Sequence, residues 1–102
     1  MTCHKMCSAS ACVVSISGEV DLTCASELTT LEKELAEPDS IVFDVTGLEY
    51  ADTTFLRFLL RLRAHGNKSR RTAIRLVGVG RRLQRLFEVT GLSHLFAYEV
   101  TR

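Results

Sequence analysis

The spacing of apolar residues changes period several times along this chain, and that alternation limits the folds open to it more than any single motif does. In "ACVVSIS", Ala11 to Ser17, Val14 and Ile16 alternate with serines. This is the two-residue period of a half-buried strand, and Gly18 is read as its end. A weaker strand is expected at about Cys3 to Cys7. From Thr23 to Ala36 the period lengthens: Cys24, Leu28, Leu31 and Leu35 form one stripe of an amphipathic helix whose other face is rich in glutamate. Asp21 or Thr23 can cap its start, and Pro38 stops it. "SIVFDV" then reads as a central strand, Thr53 to His65 as a second helix and "AIRLVGV" as a further strand. "RRLQRLFEVTG" reads as a third helix stopped by Gly91, and "LFAYEV" as a last short strand. The turn "HGNKSRRT" ends the second helix, with Gly66 at a position that favours left-handed backbone. Strands alternating with helices predict an α/β layer structure, a sheet with helices packed on it.

A chain of 102 residues, 46% hydrophobic and 25% charged, has the size and composition of one globular domain. At that size roughly two thirds of the unfolded surface is buried, enough for one core without staples. The expected core positions are Leu28, Leu31, Leu35, Val42, Phe43, Leu59, Leu76, Leu86 and Phe87. No apolar run reaches the roughly 18 residues of a membrane span. The opening "MTCHKMCSASACVVSIS" lacks the charged lead and long apolar stretch of a secretory signal, so a cytoplasmic protein is expected.

All four cysteines, Cys3, Cys7, Cys12 and Cys24, fall in the first quarter. In a cytoplasmic chain they are expected to be reduced, small and apolar in role, and neither metal ligands nor disulfide partners. Cys3, His4 and Cys7 do not have the paired spacing of a zinc site. The net charge of +1 conceals a division. Residues 1–52 carry 10 acidic and 2 basic side chains, whereas residues 53–102 carry 2 acidic and 11 basic. An arginine-rich half can mark a nucleic-acid binder, but neither half is long enough to fold alone. Folding should place the opposite charges side by side and cancel much of the far field, so no nucleic-acid partner is expected.

The second helix is unusually apolar. Phe55, Leu56, Phe58, Leu59, Leu60 and Leu62 spread over an arc of about 200°, where a little over 100° suffices to pack a surface helix on a core. Part of that arc should face a partner or another element. Directly in front of it stands Asp52-Thr53-Thr54. Asp52 or Thr53 can be the N-cap, which stabilises a helix by about 1 kcal/mol. The same position presents a hydroxyl that can be phosphorylated, since a helix N-terminus tolerates added negative charge.

Three blocks of this sequence resemble the STAS domain, the family of bacterial anti-sigma-factor antagonists and of the cytoplasmic domains of sulfate transporters. "SGEVDLTCASEL" resembles the family's Gly-Glu-hydrophobic-Asp turn into its first helix. "IVFDVTGLEYADTTFL" resembles its strand, its hydrophobic-x-hydrophobic-Asp step and its hydroxyl pair. "RRLQRLFEVTGLSHLFAYE" resembles its late helix, Gly-Leu turn and final strand. The resemblance covers most of the chain and implies a single STAS-like α/β domain over residues 1–102, a mixed β-sheet with helices packed on it.

It also implies a phosphorylation-controlled binding switch. In this family an unphosphorylated antagonist engages an anti-sigma factor that is also a serine/threonine kinase with a histidine-kinase-like ATP fold, and a sigma factor is freed. The kinase phosphorylates the hydroxyl after the motif aspartate, and a phosphatase reverses it. Here that hydroxyl is Thr53, with Thr54 as the alternative, and the implied contact surface comprises Asp21, Asp52, Thr53, Thr54 and Phe55. Threonine stands where serine is more usual, and Phe55 stands where glycine is common, placing a large ring beside the expected phosphosite. The chain stops at Arg102, about where the family's last helix would begin.

A second reading is a small non-catalytic STAS subunit that docks on the ATPase of a lipid-transport ABC complex, with Asp-Thr as a contact and no modification. An enzyme is not expected, because no Ser/His/Asp or Cys/His set stands at recognisable spacing. His4, His65 and His94 read as surface residues. No cofactor, metal or direct membrane insertion is implied.

Overall fold

The computed structural model describes residues 1–8, 10–35, 37–65, 73–94 and 96–100. The elements run β1 (Thr2–Cys7), β2 (Ala11–Val20), a 3-10 turn (Leu22–Cys24), α1 (Ala25–Glu34), β3 (Ser40–Asp44), β4 (Leu48–Ala51), α2 (Thr53–His65), β5 (Ala73–Val79), α3 (Arg81–Thr90) and β6 (Ala97–Val100). The turn expected around Gly66, the helix end at Ala36 and the side chain of His65 lie outside the described residues.

The sheet has the order β1-β2-β3-β5-β6, with β4 off this path on β2. Among the described residues only the β1–β2 pairing is antiparallel, as a tight hairpin allows, and the pairs joined through helices are parallel. β2 changes partner along its length. Ala11 to Ser15 pair with β3, and Gly18 to Val20 pair with β4 after a register shift between Gly18 and Glu19. Gly18 therefore does not end the strand: its φ of +84° builds a bulge, and the chain stays extended to Val20. β4 is a further strand that periodicity does not separate from the preceding one.

Alternation sorts the sheet into two faces. Val14, Ile16, Ile41, Phe43, Ile74 and Leu76 point inward and form one core with Leu28, Leu31 and Leu35, with Phe55, Leu59 and Leu62 of α2, and with Leu83 and Phe87 of α3. Phe58 bridges two neighbours there, edge-on to Phe43 at 5.9 Å and stacked with Phe55 at 6.2 Å. Val42 is a correction to the expected core. Every second residue of β3 faces away from the helices, so Val42 lies in an outer row with Met6, Val13 and Arg75. Leu86 is half-buried at the core's margin, since Leu83 and Phe87 take the centre of the inward stripe of α3. The remaining expected core positions are buried.

The wide apolar arc of α2 is covered within the fold. Phe55, Leu56, Phe58, Leu59 and Leu62 are buried and Leu60 packs at the margin, so that arc offers no partner face. α3 ends at Gly91, whose φ of +74° and backbone N–H bonds to Glu88 and Phe87 carbonyls make a left-handed C-cap.

The cysteines depart from expectation. Cys7 and Cys12 are directly opposite in the β1–β2 hairpin, with Cα atoms 4.1 Å apart, and form a disulfide. Their spacing in sequence hid this because cross-strand register, rather than motif, brings them together. Cys3 and Cys24 are free, and burial pushes the Cys3 thiol up from its ordinary pKa.

Charge pairing across the two halves is represented by Arg61 Nε, which donates to Glu32 Oε1 at 2.6 Å. Lys5 with Glu34, and Arg75 with Glu99, pair within their own halves. Among the described residues no helix is long and apolar enough to cross a membrane, and no group of His, Cys, Asp or Glu is arranged to hold a metal ion.

Candidate functional site

Two strand ends bring the expected site residues together. Val20 and Ala51 are register partners in the β2–β4 pair, so the residues that follow them, Asp21 and Asp52, leave the sheet side by side. The Asp52 amide still donates to the Val20 carbonyl at 3.2 Å, which ties the start of α2 to the end of β2.

Asp52 is the cap of α2. Its Oδ1 accepts the Thr54 amide at 2.8 Å, and its carbonyl accepts the Phe55 amide at 3.1 Å. A carboxylate there satisfies an otherwise unpaired N–H and meets the positive end of the helix. Thr53 is thus released from capping. It is the first residue of the helix and exposed, and its hydroxyl makes no hydrogen bond among the described residues. Thr54 is half-buried and turns toward the 3-10 turn and α1, where it lines a groove of about 290 Å³ with Leu22, Ala25, Thr29, Arg57 and Arg61.

Asp21 repeats the device. It caps the 3-10 turn by accepting the Thr23 amide at 3.0 Å and the Thr23 hydroxyl. The hydroxyl first and the amide second hold its carboxyl below the ordinary aspartate range. Asp44, at the end of β3, accepts the Thr46 hydroxyl at 2.7 Å and the Thr46 amide at 3.0 Å, with its pKa lowered by the same two donors. The sequence therefore spells Asp-x-Thr three times, at Asp21, Asp44 and Asp52. Each is a turn in which the aspartate takes the amide two residues on. The repeat was visible in the sequence, though periodicity alone does not expose it. Thr46 sits where a Cβ on Gly78 would come within 2.0 Å of its hydroxyl, so glycine is what lets β5 pass.

Phe55 is a correction. It is 0% exposed and stacks on Phe58 inside the core, so its ring is not on the surface beside Thr53. Position three of a helix that starts on the sheet faces inward, and the aromatic side chain fills that space. Leu22, 75% exposed beside the cap of the 3-10 turn, and Arg57 are surface residues at this tip that the sequence reading did not single out.

A mixed sheet with helices on one face, and an aspartate-capped helix starting at the sheet's end, define a class of small α/β domain. The family model described as "Mlab, STAS domain" matches residues 3–97, and the chain belongs to the STAS domain family. No curated protein sequence matches it significantly. The chain is similar in structure to an anti-sigma factor antagonist from Mycobacterium paratuberculosis, with a TM-score of 0.81 at 25% identity over 95% of this chain and 83% of that one. It is also similar to the unphosphorylated anti-sigma factor antagonist SpoIIAA, with a TM-score of 0.81 at 12% identity over 99% of this chain and 89% of that one. The phosphorylated form of the Bacillus cell fate determinant SpoIIAA gives a TM-score of 0.64 at 16% identity over 99% of this chain and 92% of that one. At the latter two identities the likeness is one of fold.

Proposed function

We propose that this domain is a cytoplasmic anti-sigma-factor antagonist whose binding is switched by phosphorylation of Thr53. The observation that carries the reading is the division of labour at the tip: Asp52 does the capping, which leaves the Thr53 hydroxyl exposed and, among the described residues, without a hydrogen bond. The likeness to the mycobacterial antagonist supports the role, and the phosphorylated SpoIIAA supports a fold compatible with such a modification.

The partner is an anti-sigma factor that is itself a serine/threonine kinase with a histidine-kinase-like ATP fold. The contact surface comprises Asp21, Asp52, Thr53 and Thr54. Unphosphorylated, the domain occupies the partner and a sigma factor is freed. In the reverse state the Thr53 oxygen has attacked the γ-phosphorus of ATP, ADP has left and the hydroxyl proton has gone to solvent or a base. The added charge of about −1.5 to −2 beside Asp52 then opposes docking. A phosphatase restores the hydroxyl. The domain itself performs no catalysis in this scheme.

The test is a binding series with the kinase-type anti-sigma proteins of the source organism. Thr53→Ala should bind and resist modification, and Thr53→Glu should fold yet bind at least about tenfold more weakly, or about 1.4 kcal/mol. Thr54→Ala should still be modified. Absence of binding by every such protein would sink the antagonist reading. A second reading draws support from the matched family's description, which names Mlab and not an antagonist. In it the same tip docks, unmodified, as a small subunit on the ATPase of a lipid-transport ABC complex. Copurification with an ATPase and no phosphate on Thr53 would favour it.

A further inference from the structure

Arg57 stands four residues after Thr53 in α2, so the two are neighbours on one exposed face of the helix. Side chains on a helix lean toward its N-terminus, which directs a long guanidinium at position 57 back over the turn that carries Thr53 and Thr54. The groove between α1 and α2 has two arginines, and their charges are used differently. Arg61 is paired with Glu32 at 2.6 Å, whereas among the described residues no carboxylate lies within ion-pair distance of Arg57. Asp52, the carboxylate nearest in sequence, already accepts the Thr54 amide. An unpaired guanidinium gains little from a neutral hydroxyl one turn away. It is matched in charge and reach to an oxyanion carried on that hydroxyl, and its planar fork can hold two phosphate oxygens at once.

We propose that Arg57 is a phosphate-binding residue that takes the phosphate monoester formed on Thr53, holding it back along the outer face of α2. This rests on the reading of Thr53 as the modified residue. Phosphorylation then changes the surface twice. It adds negative charge at the tip, and it engages the unpaired cation that the unmodified domain presents beside the groove of Leu22 and Thr54. The charged groups around the phosphate are Asp52 in front of the helix, Arg57 one turn on, and the Arg61–Glu32 pair further along the groove.

The experiment needs no kinase. Phosphothreonine is encoded at position 53 in the full chain, in the parent and in Arg57→Gln and Arg57→Lys backgrounds, and the phosphate is titrated by phosphorus NMR. Its second ionisation, ordinarily near pH 6, should lie about half a unit lower in the parent than in Arg57→Gln. Arg57→Lys should fall between them. The phosphorylated parent should also melt above phosphorylated Arg57→Gln, while the unphosphorylated pair melt together. Identical titration in parent and Arg57→Gln would overturn the contact, whichever partner is found. A shifted titration in a domain that no anti-sigma kinase binds would support the contact and sink only the antagonist reading.

Discussion

Phe55→Ala separates a core role from a surface role at the position where the family resemblance and the fold disagree. The ring is 0% exposed, and it stacks at 6.2 Å on Phe58, which is itself edge-on to Phe43. A buried phenylalanine removes about 150 to 200 Å² from water, which at about 25 cal/mol per Å² gives roughly 4 to 5 kcal/mol as an upper bound. Alanine keeps the first carbon, but the cavity and the lost ring contact add to the cost. Observed phenylalanine-to-alanine changes in cores, about 3 to 5 kcal/mol, are therefore the right scale. That is a large share of the roughly 5 to 15 kcal/mol available to a domain. Urea unfolding should show the midpoint falling with the slope unchanged, and Phe55→Leu should recover most of the loss. A surface contact would behave in the opposite way, costing no more than about 0.5 kcal/mol in stability while binding fails. A Phe55→Ala protein as stable as the parent would refute the placement of this ring, and with it the inward turn of the helix start.

Acid unfolding tests the Asp-x-Thr turns. The carboxyls of Asp21 and Asp44 are lowered by their threonine donors, so their stabilisation is fully present above the unfolded value of about 4 and is lost as pH falls through the lower folded value. Thr46→Val removes the hydroxyl donor to Asp44 and should cost more at pH 7 than at pH 2. A gap of equal size at both would contradict the assignment. The hairpin disulfide joins cysteines separated by 5 positions. By chain entropy, closing so short a loop stabilises by about 2 kcal/mol. Thiol titration of the denatured, unreduced protein should find Cys3 and Cys24 reactive and Cys7 and Cys12 silent. Four reactive thiols, or unfolding unaffected by a dithiol reductant, would count against the bond.

The sequence made some elements legible because their signals are self-contained. α2 begins and ends where its cap and apolar arc predict, and β5 coincides with "AIRLVGV". Other features depend on distant partners. In "SIVFDV" apolar residues occupy both phases of the alternation, so only the packing of α1 and α2 decides that Ile41 and Phe43 face inward and Val42 outward. β4 is four residues with an exposed Glu49 and Tyr50 and no alternation, and it is a strand only because β2 extends past its bulge to meet it. Thr53 and Asp52 were visible as an N-terminal signal, but which of them caps is settled by the hydrogen bond to Thr54. The family resemblance puts Phe55 on the contact surface, whereas the rotation of α2 turns its third residue into the core. Arg57 carries no motif, and it becomes notable only once Arg61 is seen to be paired and Arg57, among the described residues, is not.

The change of partner along β2 joins two ladders through one strand. Its first half is clamped between β1 and β3 and shares the fate of the core, whereas its last residues are zipped to β4, a short strand that pairs with β2. Asp21 and Asp52 hang from that second zipper. Val20 in that ladder is 0% exposed and belongs to the same core as Phe55, so the two aspartates stand on strand ends anchored in the interior and a displacement of either strand end carries both with it.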